Sequence, residues 1–441
     1  MIKGDLIKMR RFTIIFLILT SFSSLNAADN PTSVRREVEY TIRESVDRIG
    51  NQYISYWGQL PSVLTFVNSD GSVTVCSSDE SAKMTYIYEY SIDLREQKTL
   101  TIENEFNILG AFTKDGDGNY YFFYARGTTD RNAENMALVK YSPQGEKINA
   151  YKLKANPPNS FSGIRVPFDA GTCRLELSGA MLAVYFARGM FNGHQASYGF
   201  ILDKETFARV DTGAATNADR TGGYSQMPYT SHSFSQFILP IEGGFVFADH
   251  GDAYPRSFTF AKFIPKSQTK RVHAFAFPGG MGANATYAEM GGLARTQEGY
   301  IFSGAYGGGS NNPRNLFILT FDEGMTKCSS PVYITKYTRE NGHAGHPKIV
   351  ELESGRYLLL WELFRFSTQS ANTIGQSQTG YLSTFMVIID GKGNLLTDIE
   401  ELPGVRLNMG DVLRYNRQNG KVYWAINDTA KSITVYALDV R

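Results

Sequence analysis

The stretch "EGYIFSGAYGGG", residues 298–309, combines a turn-forming Glu-Gly pair, a run of Tyr, Ile and Phe typical of a β-strand, and a glycine-rich loop. Similar stretches occur as "GGFVFADHGD" (243–252) and "GRYLLLWELF" (355–364). A turn-forming glycine followed by a β-rich run occurs seven times, at Gly71, Gly118, Gly179, Gly244, Gly299, Gly355 and Gly420. The glycines are 47 to 65 residues apart, which indicates repeated units whose connecting loops differ in length.

Each unit also has a strand-like segment before its glycine, a third after a loop, and usually a fourth after another turn. One four-stranded sheet cannot bury both of its faces, whereas sheets packed side by side in a ring cover each other. The repeats therefore predict an all-β fold, a seven-bladed β-propeller of four-stranded antiparallel blades.

The repeat resembles a pattern found in exported bacterial propellers. That pattern is Gly-Tyr-Ile, a hydrophobic residue and a nearby Gly, then a loop and a Leu/Ile-rich strand ending in Asp and a Gly turn. "EGYIFSGAYGGGSNNPRNLFILTFDEG" (298–324) matches it best, and the resemblance covers most of the chain after about residue 60. It implies the fold and says almost nothing about activity, because propellers carry many unrelated functions.

Closure of the ring requires a strand from the N-terminal side, because the last unit reaches Arg441 directly after its third strand. "REVEYTIR" (36–43) alternates apolar and polar residues as a half-buried strand does. The same region also fits a helix over residues 34–49, with Ser33 as N-cap and Gly50 beyond the end. If the helix forms, "QYISYWG" (52–58) is the next candidate for the closing strand.

The N-terminus has the pattern of a signal peptide, with a cationic segment up to Arg11, an apolar run from Phe12 to Leu19, and small residues up to Ala27. The apolar run is too short to span a bilayer, and no later stretch approaches that length. We expect a signal peptide over 1–27, an N-terminal segment over 28–58, and the propeller over 59–441. The mature chain is expected to be secreted or periplasmic, without a membrane span.

Composition narrows the class of partner. The formal net charge is +1 and no basic stripe is interleaved with aromatic residues, so nucleic acid is not an expected partner. The three cysteines are far apart and odd in number, which does not support a disulfide framework. Cys76 and Cys173 lie in apolar strand patterns and are expected to be small buried residues.

Aligning the seven units predicts which residues meet at the mouth of the central channel. The loop that enters an innermost strand lies on the same face of a propeller as the loop between the second and third strands. At the start of the innermost strands, the aligned positions are Ser62, Ala111, Thr172, His232, Gly292, His346 and Asp411. At the end of the second strands, the aligned polar residues on the same face are Arg126, Arg188, Asp249, Tyr306 and Glu362.

These side chains suggest a polar ligand site. Arg126 and Arg188 have the chemistry to bind a carboxylate, sulfate or phosphate through two hydrogen bonds each. His232, His346 and Asp411 are candidates for a divalent metal site or for acid–base chemistry. The alternative interpretation is structural: polar residues at this position solvate a water-filled channel and pair across blades.

The sequence contains no complete catalytic motif, and it assigns no catalytic residue. It favours a non-enzymatic exported propeller that binds a protein or a glycan through its loop-rich face. The longest loop there is predicted over residues 364–384, and long loops on a rigid scaffold are common sites of function. The alternative is a lyase or hydrolase acting on an anionic glycan, with His232, His346 and Asp411 at the channel mouth.

Overall fold

The computed structural model describes residues 31–42, 60–157, 160–212, 226–367 and 380–441. These residues form seven four-stranded sheets with antiparallel pairing, arranged as the blades of a seven-bladed β-propeller. No helix occurs in these ranges. The fold class predicted from the repeats is confirmed.

In five of the seven blades the four strands follow each other along the chain from the axis of the ring outward. The N-terminal strand is β1 (Thr32–Glu37). Blade 1 contains β2 (Val63–Val67), β3 (Val73–Asp79), β4 (Met84–Tyr90) and β5 (Glu96–Glu103). Blade 2 contains β6 (Ile108–Lys114), β7 (Tyr120–Ala125), β8 (Glu134–Tyr141) and β9 (Lys147–Lys154). Blade 3 contains β10 (Val166–Pro167), β11 (Cys173–Ser178), β12 (Met181–Gly189) and β13 (Gln195–Asp203), where the two-residue β10 pairs with the end of β12.

The remaining blades repeat the pattern. Blade 4 contains β14 (Ser233–Ile241), β15 (Gly244–Asp252), β16 (Arg256–Phe263) and β17 (Lys270–Ala276). Blade 5 contains β18 (Ala288–Arg295), β19 (Gly299–Tyr306), β20 (Asn315–Asp322) and β21 (Val332–Tyr333). Blade 6 contains β22 (His343–Glu351), β23 (Arg356–Phe364), β24 (Tyr381–Asp390) and β25 (Glu400–Leu402). Blade 7 contains β26 (Arg414–Asn416), β27 (Lys421–Thr429), β28 (Ser432–Asp439) and, outermost, β1.

The ring is closed by an N-terminal strand, but that strand begins four residues earlier than the sequence predicted. β1 pairs antiparallel with β28, from Thr32 opposite Ala437 to Glu37 opposite Ser432. Of the two alternatives that the sequence left open, the helix does not form over residues 34–42, because 34–37 are extended and the backbone N–H groups of Val38 and Ile42 donate to the 430–431 turn. Residues 43–49 and the alternative closing strand at 52–58 lie outside the described residues.

The turns predicted from the glycines are present. In "DGDGN", the Asp115 carboxylate accepts hydrogen bonds from the backbone of Asp117 and Asn119, which closes a tight turn. Gly118 in this turn has φ +82°, a left-handed conformation that glycine adopts without steric cost. The interpretation of this motif as a turn is confirmed.

The core lies between neighbouring blades and is rich in aromatic rings. Between blades 2 and 3, Phe123 contacts Phe186 and Phe200, with ring centroids 5.3 Å and 5.8 Å apart. Cys76 and Cys173 are buried, as predicted, and Cys328 is partly exposed. These aromatic side chains therefore serve mainly to pack neighbouring blades together. Aromatic rings that meet edge to face stabilise the fold by more than the burial of their area alone.

Candidate ligand face

Four of the innermost strands, β6, β14, β18 and β22, carry β-bulges near the ends at which they begin, and these bulges change the alignment of the seven units. We call the face at which the innermost strands begin the upper face. The pairing with the second strand shifts between Gly345 and Lys348 in β22, and between Ser233 and Gln236 in β14. His346 thus lies inside the bulge of blade 6, whereas His232 precedes the bulge of blade 4. The alignment that equates the two histidines is wrong by about two residues, because a bulge inserts unpaired residues into one strand.

His232, His346 and Asp411 each have a different partner. His232 Nδ1 lies 3.5 Å from a carboxylate oxygen of Asp252, and His346 Nδ1 lies 2.6 Å from Glu362 Oε2. Asp411 accepts a hydrogen bond of 2.8 Å from the backbone N–H of Thr65, which joins blade 7 to blade 1. Within the described ranges, no group of three or more His, Cys, Asp or Glu side chains is arranged to hold a metal ion. The described ranges thus do not contain the metal site suggested for His232, His346 and Asp411.

The two arginines of the predicted anion site lie in different environments. Arg126 is exposed, donates to the carbonyl of Glu134, and has its guanidinium carbon 5.0 Å from the centroid of the Phe106 ring. Arg188 is fully buried, and its Nη1 donates to the carbonyl of Gly163. Burial lowers the pKa of Arg188 to about 10. One exposed and one buried guanidinium do not form a shared surface for a single anion.

Glu362 is the centre of a buried polar cluster at the upper end of blade 6. Its carboxylate contacts His346 Nδ1, accepts from Arg406 Nε at 2.8 Å, and accepts from the backbone N–H of Leu407 at 2.8 Å. The backbone N–H of His346 donates to the carboxylate of Glu289 at 3.0 Å. These bonds fix the imidazole in one orientation, and its Nε2 is buried without a hydrogen-bond partner in the described structure. His346 also has φ 49°, a strained conformation of the kind found at functional sites.

Asp249 lies in a second buried cluster, between blades 3 and 4. Its carboxylate accepts hydrogen bonds from Tyr185 Oη at 2.6 Å and from Ser233 Oγ at 2.7 Å. Burial raises the pKa of Asp249 to about 6, despite these donors. Tyr306, the remaining aligned residue, is half-buried and packs edge-on against Phe275 with centroids 4.7 Å apart. The aligned polar residues therefore mostly contact protein groups rather than solvent.

The central channel is crossed by a segment of blade 7, a feature that the alignment of the seven units did not predict. Arg174 of blade 3 donates to the carbonyl of Gly410, and Lys348 of blade 6 donates to the carbonyls of Met409 and Asp411. Burial lowers the pKa of Lys348 to about 8. The sequence signal was a charged residue inside an apolar strand pattern, as in "TCRLEL" and "HPKIV". These hydrogen bonds connect blades 3, 6 and 7 across the channel at this level.

A cleft on blade 4 is the described pocket with the most aromatic and apolar lining. It has a volume of about 500 Å³ and lies beside β16 and β17. Tyr229, Tyr254, Phe277 and Met281 contribute apolar surface, and Arg256, Arg271 and His273 contribute polar groups. Tyr254 is 40% exposed and Met281 is 63% exposed, so the mouth of the cleft presents apolar surface to solvent. We call it the blade-4 cleft.

Two buried charges hold the loop that frames the blade-4 cleft. Arg256 pairs with Asp252 and donates to the carbonyls of Pro278 and Ala285. Asp252 also accepts from the backbone N–H of Asn284 at 2.7 Å. The loop over residues 277–286 is thereby fixed to blade 4, which preforms the cleft. None of the lining residues belonged to the aligned set, because the loops of blade 4 have no counterpart of matching sequence in the other units.

The upper face also carries a histidine pair between blades 3 and 4. The rings of His194 and His232 have centroids 4.9 Å apart, and His194 Nε2 lies 2.8 Å from Ser231 Oγ. Burial lowers the pKa of both imidazoles, and for His194 the neighbouring His232 lowers it further. The loop predicted at 364–384 cannot be placed in this face, because residues 368–379 lie outside the described ranges.

No protein-family model matches the sequence, and no curated protein is similar to it at a significant level. Solved structures are similar in fold. A protein of unknown function from Dyadobacter fermentans has 10% identity and a TM-score of 0.41, over 92% of this chain and 99% of its own. An α-L-arabinanase of Penicillium chrysogenum has 11% identity and a TM-score of 0.40, over 83% and 100%. The propeller domain of the trilobed protease of Pyrococcus furiosus has 9% identity and a TM-score of 0.40, over 79% and 82%.

Similarities this distant do not bear on the activity of the chain. In the described ranges, no helix is long and apolar enough to cross a membrane.

Proposed function

We propose that the protein is an exported, non-enzymatic propeller that binds a glycan in the blade-4 cleft of its loop-rich face. The observation that carries this proposal is the preformed cleft itself, with exposed aromatic surface beside a few polar groups. Ligand pockets typically have this composition and a volume of several hundred Å³. Export rests on the signal-peptide pattern at the N-terminus, in residues that the structure does not describe.

Tyr254 is expected to make the main contact with the ligand. It lines the cleft and is 40% exposed, so part of its surface faces solvent, where the apolar face of a sugar would pack against it. Arg271 and His273 lie in the same lining and supply hydrogen-bond donors for sugar hydroxyls or a uronate carboxylate. A protein partner is the other class of ligand that such a surface suits, and the experiment below separates the two.

The test is binding to a panel of soluble neutral and uronate-containing polysaccharides, measured by affinity gel electrophoresis and calorimetry. We expect at least one polysaccharide to bind the wild type, and Tyr254→Ala to weaken that affinity by about tenfold, the effect typical of an aromatic anchor. Tyr333→Ala is the matched control, because Tyr333 is 44% exposed but lies on β21, outside the cleft. Binding by no polysaccharide, or equal binding by wild type and Tyr254→Ala, would refute the glycan proposal.

The second candidate function is acid–base catalysis on an anionic glycan at His346. It is favoured by the contact of 2.6 Å between His346 Nδ1 and Glu362, which orients the imidazole and leaves Nε2 as the nitrogen that would exchange a proton. Because Nε2 is buried, this candidate requires the upper end of blade 6 to open when a substrate binds. Arg406 is 44% exposed on its side chain and lies beside the pair, where its charge suits a uronate carboxylate.

This candidate is tested by incubating the protein with polyuronates and following new reducing ends and unsaturated products. If the enzyme function is correct, the wild type cleaves at least one substrate, and His346→Gln lowers the rate by about 100-fold or more. Cleavage that His346→Gln leaves unchanged would exclude His346 as the base.

A further inference from the structure

A cavity on the axis of the ring, below the segment that crosses the channel, is separate from the blade-4 cleft and from the His346 cluster. It has a volume of about 380 Å³ and is lined by the innermost strands of six of the seven blades. Its lining includes Phe66, Arg174, Glu176, Leu239, Val412 and Arg417. We call it the axial cavity.

Contacts across the ring close the axial cavity on its upper side. Arg174 belongs to blade 3 and Gly410 to blade 7, and at least two blades lie between these in either direction. The hydrogen bond of 2.5 Å from Arg174 Nη1 to the Gly410 carbonyl therefore lies at the axis. Arg414 of blade 7 likewise reaches Glu176 of blade 3, with 3.1 Å between Nη2 and Oε1. These contacts close the cavity above, so it is reached from the face opposite the blade-4 cleft.

The charges that face the axial cavity are not balanced. Its lining contains three guanidinium groups, from Arg174, Arg414 and Arg417, and two carboxylates, from Glu176 and Glu351. Arg414 is paired with Glu176. Arg174 is only 6% exposed and donates to the carbonyls of Gln236 and Gly410. In the described ranges no carboxylate lies within ion-pair distance of it, and the carboxylates of Asp411 and Glu176 act on it from further away. A buried guanidinium that no carboxylate contacts directly is costly to desolvate, and an anion that bound it directly would relieve part of that cost.

We propose that the axial cavity binds a small organic carboxylate. Its carboxylate lies against Arg174, which is suited to bidentate recognition of a planar oxyanion, with Arg417 at the mouth. The apolar part of the ligand packs against Phe66, Leu239 and Val412, which line the same cavity. The site is independent of the glycan proposal, because its residues are on the axis and none lines the blade-4 cleft.

The test uses phenylacetate as the probe, with neutral phenylacetamide and inorganic phosphate as comparisons at constant ionic strength. We expect calorimetry on the full chain to show saturable binding of one phenylacetate and no binding of the amide, since only the former carries a charge for Arg174. Arg417→Gln should weaken binding by about three- to tenfold, as expected for a partly exposed charged contact. Arg174→Lys, which keeps the charge and loses the planar fork, should weaken it by about tenfold or more.

Arg339→Gln is the control, because Arg339 is an exposed arginine on the upper face, beside Phe366. It should bind phenylacetate as the wild type does. The proposal is overturned if the wild type binds no phenylacetate, if the amide binds equally, or if phosphate alone binds. Unchanged affinity in both Arg417→Gln and Arg174→Lys, with circular dichroism showing that both are folded, would overturn it as well.

Discussion

Lowering the pH from about 7.5 to about 4.5 is expected to destabilise the protein by several kcal/mol, because two buried histidines are held neutral by the fold. Burial lowers the pKa of His250 from 6.5 to about 3, with Arg256 lowering it further. Burial lowers the pKa of His343 from 6.5 to about 2, with Arg314 and His346 adding to the effect. Both residues have no exposed surface.

The sign follows from the depressed folded-state pKa values. In the unfolded chain both histidines take up a proton below pH 6.5, whereas in the folded protein they remain neutral down to about 3 and about 2. The stabilisation is therefore fully present above pH 6.5 and is lost as the pH falls below it. At about pH 4.5 each histidine lowers the free energy of unfolding by about 3 kcal/mol relative to neutral pH.

Protonation of Asp249 stabilises the protein as the pH falls, but by less than the two histidines destabilise it. Its pKa is raised to about 6, so protonation favours the fold as the pH falls from 6 toward the ordinary value of 3.8. At about pH 4.5 this gain is about 2 kcal/mol, smaller than the combined loss from the two histidines. The net expectation is acid destabilisation, in addition to the losses from carboxylates of lowered pKa at still lower pH.

Urea unfolding at the two pH values measures the loss of unfolding free energy. The His250→Gln variant removes the contribution of His250 to that loss. The pH-dependent loss should shrink by about 3 kcal/mol in His250→Gln, because glutamine does not titrate. His273→Gln is the comparison: His273 is an exposed residue on β17 whose pKa burial also lowers, without a shift as large as that of His250, so this variant should reduce the loss by less than His250→Gln does. An equal pH-dependent loss in wild type and His250→Gln would show that His250 is not buried neutral.

The seven blades could be predicted from the sequence because each repeats a local signal, a turn glycine followed by a β-rich run. Closure of the ring was predictable for the same reason: the last unit lacked a strand. The register of the closing strand was not, because Val34, Val38 and Ile42 fit a strand and a helix equally well in isolation. Pairing with β28 decides the register, and that contact joins residues about 400 positions apart.

The site could be predicted less well, since it depends on bulges and on contacts across the ring. A bulge adds residues to one strand of a pair without a reliable sequence signal, and it separated His232 from the position of His346. The contact between Arg174 and Gly410 links positions 236 residues apart, and no repeat periodicity encodes it. What could have been noticed is the charge in the innermost strands, because a buried Arg or Lys needs partners that the strand itself does not supply.

Glu362→Gln is expected to lower the free energy of unfolding by about 3 kcal/mol at neutral pH. Burial alone would raise the pKa of Glu362, but His346 and Arg406 outweigh it and hold the pKa at about 2. Because this folded-state value lies below the ordinary 4.5, the stabilisation is fully present above pH 4.5 and is lost as the pH falls toward 2. The deficit of the variant should therefore shrink as the pH falls from about 4.5 toward about 2.

Glu323→Gln provides the matched control for the loss of a carboxylate. Glu323 also forms two ion pairs, with Lys262 and Arg295, but its side chain is 51% exposed. Exposed pairs contribute at most about 1 kcal/mol, so this variant should unfold at nearly the wild-type urea concentration. Glu362 differs because glutamine there leaves Arg406 and His346 without a negative partner inside the fold, where solvent cannot replace it. If both variants lost equally little stability, the cluster at the upper end of blade 6 would not be the fixed scaffold for His346 that its hydrogen bonds indicate.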